Sequence, residues 1–164
     1  MTPIKSVTII QPYAELIAAG VKRVENRTWP TNYRGPLFIH AGKAKRYGGE
    51  PVFDIAKQYE LEPASLVFGA VIAVADLIDC VELVEVDMRH YRQRPWRLPA
   101  WAEKRHAWMN DHEHTEGPVC WILANVRRLT SPAVVDGKQG LWTPKPDLID
   151  RVSAAVAGAE VSQC

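Results

Sequence analysis

The chain has 164 residues, 47% apolar and 24% charged, with a formal net charge of +1. That length suits one domain with a sizeable core, and the composition is ordinary for a soluble globular protein. No apolar run approaches the roughly 18 residues of a membrane span. The N-terminal residues carry no basic-then-apolar secretory signal. Cys80, Cys120 and Cys164 are an odd set at wide spacing. They argue against a disulfide framework and for a reduced, cytoplasmic setting.

The near-zero net charge conceals blocks. Residues 1 to 47 carry +6, residues 48 to 88 carry −8, and residues 89 to 105 carry +5. A basic stripe of this kind attracts phosphates unless the acidic block neutralises it in the fold.

In chain order, Ser6 to Ile10 reads as a β-branched strand. Pro12 suits the first position of a helix that Gly20 ends, with Tyr13, Leu16 and Ile17 at helical spacing. Val24 to Trp29 alternates as a strand, placing Glu25, Arg27 and Trp29 on one face. Residues 32 to 36 read as a loop, Leu37 to Ala41 as a strand and Pro51 to Tyr59 as a short helix. The apolar run Gly69 to Ile78 predicts a long buried strand. Residues 89 to 117 are charged, Trp-rich and irregular, with a helix predicted from Pro99 to Met109. Strands follow at Val119 to Leu129, Ala133 to Val135 and Gly140 to Trp142. The tail from Asp147 reads as weakly helical or frayed. Without a sustained β-α-β rhythm, this order predicts an α+β fold: a small β-barrel with short helices packed at its ends.

The densest chemistry is Gly20-x-Lys22-x-x-Glu25-x-Arg27, followed by Trp29. Lys22, after the turn glycine, can reach a phosphate, polarise a carbonyl or act as a base if desolvated. Glu25 can accept from the exocyclic amine of a base or activate water. The competing reading is an internal ion pair of Glu25 with Lys22 or Arg27 that fixes the strand, although an exposed pair contributes only about 0–1 kcal/mol. Trp29 and Trp142 are candidates for base stacking, and Trp96, Trp101 and Trp108 for a second aromatic and basic patch; the plain alternative for each is core packing. Arg34, Lys43, Lys45 and Arg46 are candidate phosphate contacts or simple solvated surface. The cluster Asp111-His112-Glu113-His114, with His106 nearby, lacks a complete zinc ligand set and reads as a polar loop. His40 reads as a core or pocket-wall residue, and Cys80 and Cys120 as buried thiols.

These motifs, in order, resemble the ASCH domain family. The resemblance rests on Gln11-Pro12, the Gly20 to Arg27 signature, Tyr33-Arg34-Gly35, Leu37-x-Ile39-x-Ala41 and Gly69 with Asp76-Leu77-Ile78-Asp79-Cys80. It is completed by Gly117-Pro118-x-Cys120-Trp121 and Gly137-Lys138-Gln139-Gly140-Leu141-Trp142. It implies a PUA-like fold over residues 1 to 146, with 147 to 164 as a tail. It also implies action on RNA, DNA or nucleosides in a cleft beside the first helix. Small members related to the family hydrolyse acylated cytidine nucleosides with the signature Lys and a Thr three positions later; here that position is Glu25.

The resulting expectation is a domain that binds RNA, or a plain or modified nucleotide or nucleoside, with DNA as a further ligand. Its contacts would be Gln11, Lys22, Glu25, Arg27, Trp29, Arg34, Lys43 and Trp142. No cofactor, metal or membrane is expected, and a monomer is favoured. The alternatives are a hydrolase of an acylated pyrimidine nucleoside or a phosphodiester, with Lys22 and Glu25 catalytic, and a protein-interaction module.

Overall fold

The computed structural model describes residues 2–86 and 95–161, and side chains of the last helix through residue 156. The part of the basic block at residues 89–94 lies outside the described residues. Along the chain run β1 (Lys5–Ile9), α1 (Tyr13–Ala18), β2 (Val24–Arg27), β3 (Gly35–Ala41), β4 (Arg46–Tyr47), β5 (Glu50–Pro51), α2 (Val52–Gln58), β6 (Ala70–Glu82), β7 (Val84–Glu85), β8 (Trp96–Arg97), α3 (Ala100–His106), β9 (Val119–Val134), β10 (Leu141–Trp142) and α4 (Pro146–Val161). They form two compact units, one of residues 1–22, 35–76 and 125–164, the other of residues 23–34 and 77–124.

In the first unit the strand order is β10-β1-β3-β6-β9. β1 is parallel to β3, with Val7 opposite Ile39, and antiparallel to β10. α1 follows β1 directly. The Gln11 side chain accepts the Glu15 N–H (3.0 Å) and donates to the Val67 carbonyl (2.7 Å), so it caps the helix start and anchors it. The helix ends in a Schellman turn: Gly20 at φ +77° donates to Ile17, and Val21 to Leu16.

The core of this unit joins Phe38, Val71, Val74, Leu129 and Ala133 with Trp142 and with Leu148, Val152 and Ala155 of α4. The segment read from sequence as a weak tail is thus a continuous helix with an apolar stripe at helical spacing. His40 is buried and its Nε2 donates to the Val135 carbonyl, 2.9 Å away. Gly137 lies across the ring: a Cβ there would stand 2.6 Å from His40 Cε1 and from the Thr8 hydroxyl.

In the second unit the order is β6-β9-β2. β2 runs antiparallel to β9, with Glu25 opposite Trp121 and Asn26 opposite Cys120. Val24, Val81, Leu98, Ala102, Met109, Cys120 and Ile122 form its core, with α3 supplying Ala102.

Several boundaries differ from the sequence reading, and two have a clear physical cause. β2 stops at Arg27, so Trp29 is not a strand residue. Pro30 supplies no N–H, so a ladder cannot be carried on through it, although it holds the residue before it to extended backbone. β9 runs unbroken from Val119 to Val134, across the gap between the segments read separately as 119 to 129 and 133 to 135. Its pairing with β2 covers only Val119 to Ile122, so Pro132 interrupts no ladder with that neighbour.

Candidate nucleic-acid interface

The candidate residues fall into both units. In the first, Gln11 is fully buried and engaged through both ends of its amide by the backbone. Lys22 is 4% exposed, and its N–H donates to Leu16 in the turn that Gly20 opens. Trp142 is 7% exposed in the core, with the His40 ring 6.0 Å away edge to face. Lys43 is exposed and bridges to Asp136 at 2.6 Å. Lys45 stacks its ammonium on Phe68.

In the second unit the strand register does what alternation predicts. Glu25 and Arg27 share a face of β2 with Trp121 on β9. Arg27 Nη2 lies 3.1 Å from Glu25 Oε1, and its guanidinium sits 5.6 Å from the Trp121 ring centre. The two charged side chains are only 21% and 9% exposed. Trp121 is fully buried, and Trp29 meets its ring edge to face at 4.8 Å while remaining 36% exposed. A carboxylate, a planar cation and a half-open indole therefore share one face. Trp121, the residue that gathers them, was visible only as part of a motif. Its role needs the cross-strand register, which no local spacing reveals.

Arg34 is drawn into a different arrangement. Its guanidinium donates to the Thr31 and Tyr33 carbonyls and pairs with Asp79 at 3.3 Å. Asp79 also accepts from His106 Nε2 at 3.0 Å and from the Cys80 N–H at 2.9 Å. Burial opposes the charge on Asp79. The hydrogen bonds from His106 and Cys80, with the charges of His106 and Arg34, outweigh it and hold the carboxyl below its ordinary range. Asp79 and His106 are 27 residues apart, which is why spacing gave no sign of the pair. Burial pushes the neighbouring Cys80 thiol up, which keeps it protonated.

Asn26, on the opposite face from Glu25, holds the chain reversal before β9. It donates to the His114 carbonyl and accepts from the Glu116 and Gly117 N–H groups. In the histidine cluster, His112 Nε2 accepts the Arg23 N–H at 3.2 Å. Among the described residues no three or more His, Cys, Asp or Glu side chains are grouped to hold a metal ion. No helix of the described residues is long and apolar enough to cross a membrane.

The mixed sheet and short helices make the fold α+β. The model of the ASCH domain matches residues 7–133, and the chain belongs to that family. It is 35% identical over 82 residues to the human protein activating signal cointegrator 1, and 37% identical over 78 residues to its mouse counterpart. Those stretches are 46% and 43% of this chain but only 14% and 13% of the two relatives. Among solved structures, the crystal structure of ASCH from Zymomonas mobilis aligns over 94% of this chain and 96% of its own, with a TM-score of 0.50 at 13% identity.

Proposed function

We propose that the protein binds nucleic acid, with RNA or a plain or modified nucleotide as ligand, through the face that carries Glu25, Arg27 and Trp29. The observation that carries this reading is the stacking of roles on one face of β2. Arg27 is held beside Glu25 and against Trp121, with Trp29 exposed at the rim. In that arrangement a base stacks on Trp29, the Glu25 carboxylate accepts from an exocyclic amine, and Arg27 meets a phosphate or carbonyl oxygen. Lys22 belongs to the same sequence motif and is tested separately.

The test is binding of a fluorescein-labelled oligouridylate, and of an oligocytidylate of the same length, across a salt series. Trp29→Ala should weaken binding by about 5- to 100-fold, the usual range for losing a stacking platform. Arg27→Ala and Lys22→Ala should each flatten the salt dependence by about one counterion. Glu25→Gln should change base preference and leave the slope unchanged. Release of free cytidine from an acylated cytidine by the unmodified protein, lost in Lys22→Ala and Glu25→Gln, would replace this reading with the hydrolase.

A further inference from the structure

α3 packs Ala102 into the core beside Val24, Cys120 and Ile122. Those residues occupy the face of the β2–β9 ladder opposite to Glu25 and Arg27. The outer side of α3 is therefore separate from the face described above. It carries Trp101, Lys104 and Arg105, which with Ala100 line a shallow depression of about 530 Å³. Residues three and four apart on a helix stand side by side, so both cations neighbour the indole. Trp101 is 43% exposed, a costly position for a large apolar ring, with the His106 ring meeting it edge to face at 6.5 Å. Lys104 is exposed and makes no hydrogen bond or ion pair among the described residues. The Arg105 side chain is 71% exposed, and its ion pair with Asp79 is long, at 3.8 Å. Asp79 is already engaged by His106 and Arg34, and the Glu103 carboxylate on the same helix accepts from Asn110. Among the described residues no carboxylate lines the depression, so its charge is complementary to an anion that also offers a flat ring.

We propose that Trp101, Lys104 and Arg105 form a second contact surface for single-stranded nucleic acid. A base stacks on Trp101 while neighbouring phosphates meet Lys104 and Arg105. The proposal deepens the reading given under Proposed function and rests on it for the class of ligand. A strand that touches both surfaces must pass around β2, the outermost strand of its sheet. The second contact therefore belongs to polymers and not to mononucleotides.

The experiment uses the full chain and a fluorescein-labelled oligouridylate of about a dozen nucleotides, within the range that one such domain covers. Trp101→Ala should weaken binding by about 5- to 100-fold. Lys104→Ala should reduce the slope of log affinity against log salt by about 0.7, and Lys104→Arg should restore it. Binding of uridine monophosphate should be the same in all three variants, and Lys104→Ala should melt with the unmodified protein. If Trp29→Ala and Arg27→Ala weaken oligomer binding while the α3 variants do not, the second surface is wrong and the first stands. If only the α3 variants weaken it, the second surface stands and the Glu25–Arg27 reading falls. Failure of the unmodified chain to bind the oligomer would sink both. Polyglutamate of matched charge that displaces the oligomer as well as unlabelled oligouridylate does would overturn the assignment to nucleic acid.

Discussion

Trp142 and Trp29 answer the same sequence description and have opposite physical situations. Trp142 is 7% exposed and wedged among Phe38, Leu129 and Leu148, so its indole is a structural filler of the first unit. Trp29 meets the Trp121 ring edge to face and is 36% exposed. Their surroundings divide the same way. Gln11 spends both ends of its amide on the backbone. Arg27, by contrast, lies in the second unit beside a carboxylate and an indole, where charge and aromatic surface meet. The contrast separates motif residues that the fold spends on its own packing from those whose aromatic or charged surface it leaves partly open.

The sharpest way to break this contrast is to truncate both tryptophans. Trp142→Ala should cost about 3–5 kcal/mol in urea unfolding, the scale for emptying a packed aromatic site. Trp29→Ala should leave stability within about 1 kcal/mol and act on affinity. Equal losses of stability would erase the distinction. Gln11→Ala comes next. It strands the Val67 carbonyl and the Glu15 N–H, so about 1–3 kcal/mol should be lost by the same measurement.

A smaller effect appears with pH. Burial is the main cause that lowers the affinity of His40 for protons. The Lys43 charge adds to it, while the Val135 carbonyl and Asp136 oppose it. The unfolded chain then binds a proton that the folded chain resists. Stability should be full above about pH 6.5 and fall as pH drops below it, by at most ~1.4 kcal/mol per pH unit. Unfolding of His40→Gln followed between pH 7 and 5 should lack this component; an unchanged slope would assign it elsewhere. The smallest effect is expected from Lys43→Ala. Its pair with Asp136 is 67% and 89% exposed, and the melting midpoint should stay within experimental scatter.

Local patterns carried much of the fold. The spacing of Tyr13, Leu16 and Ile17, closed by Gly20, gave α1 to within a residue at each end, because the cap and the turn are written locally. Alternation placed Glu25 and Arg27 on one face for the same reason. What escaped was nonlocal. Pro132 reads as a strand breaker, yet β9 runs through it where β2 no longer pairs. α4 looked weak because its stripe is made of Leu148, Val152 and Ala155, whose contribution depends on meeting Phe38 and Val74. The Asp79–His106 pair joins β6 to α3 across a distance in sequence that no motif spans.

Gly137 and His40 behave as a matched pair of sizes. The glycine is present for room, since its missing Cβ would fall 2.6 Å from the imidazole, and that buried ring has little space to retreat. Alanine at 137 alone should therefore be poorly tolerated. Shrinking position 40 would vacate the imidazole's part of the volume that a methyl group at 137 requires, with the Thr8 hydroxyl, equally close, left to shift. The two positions are thus expected to change together during the divergence of such chains, each setting how large the other can become.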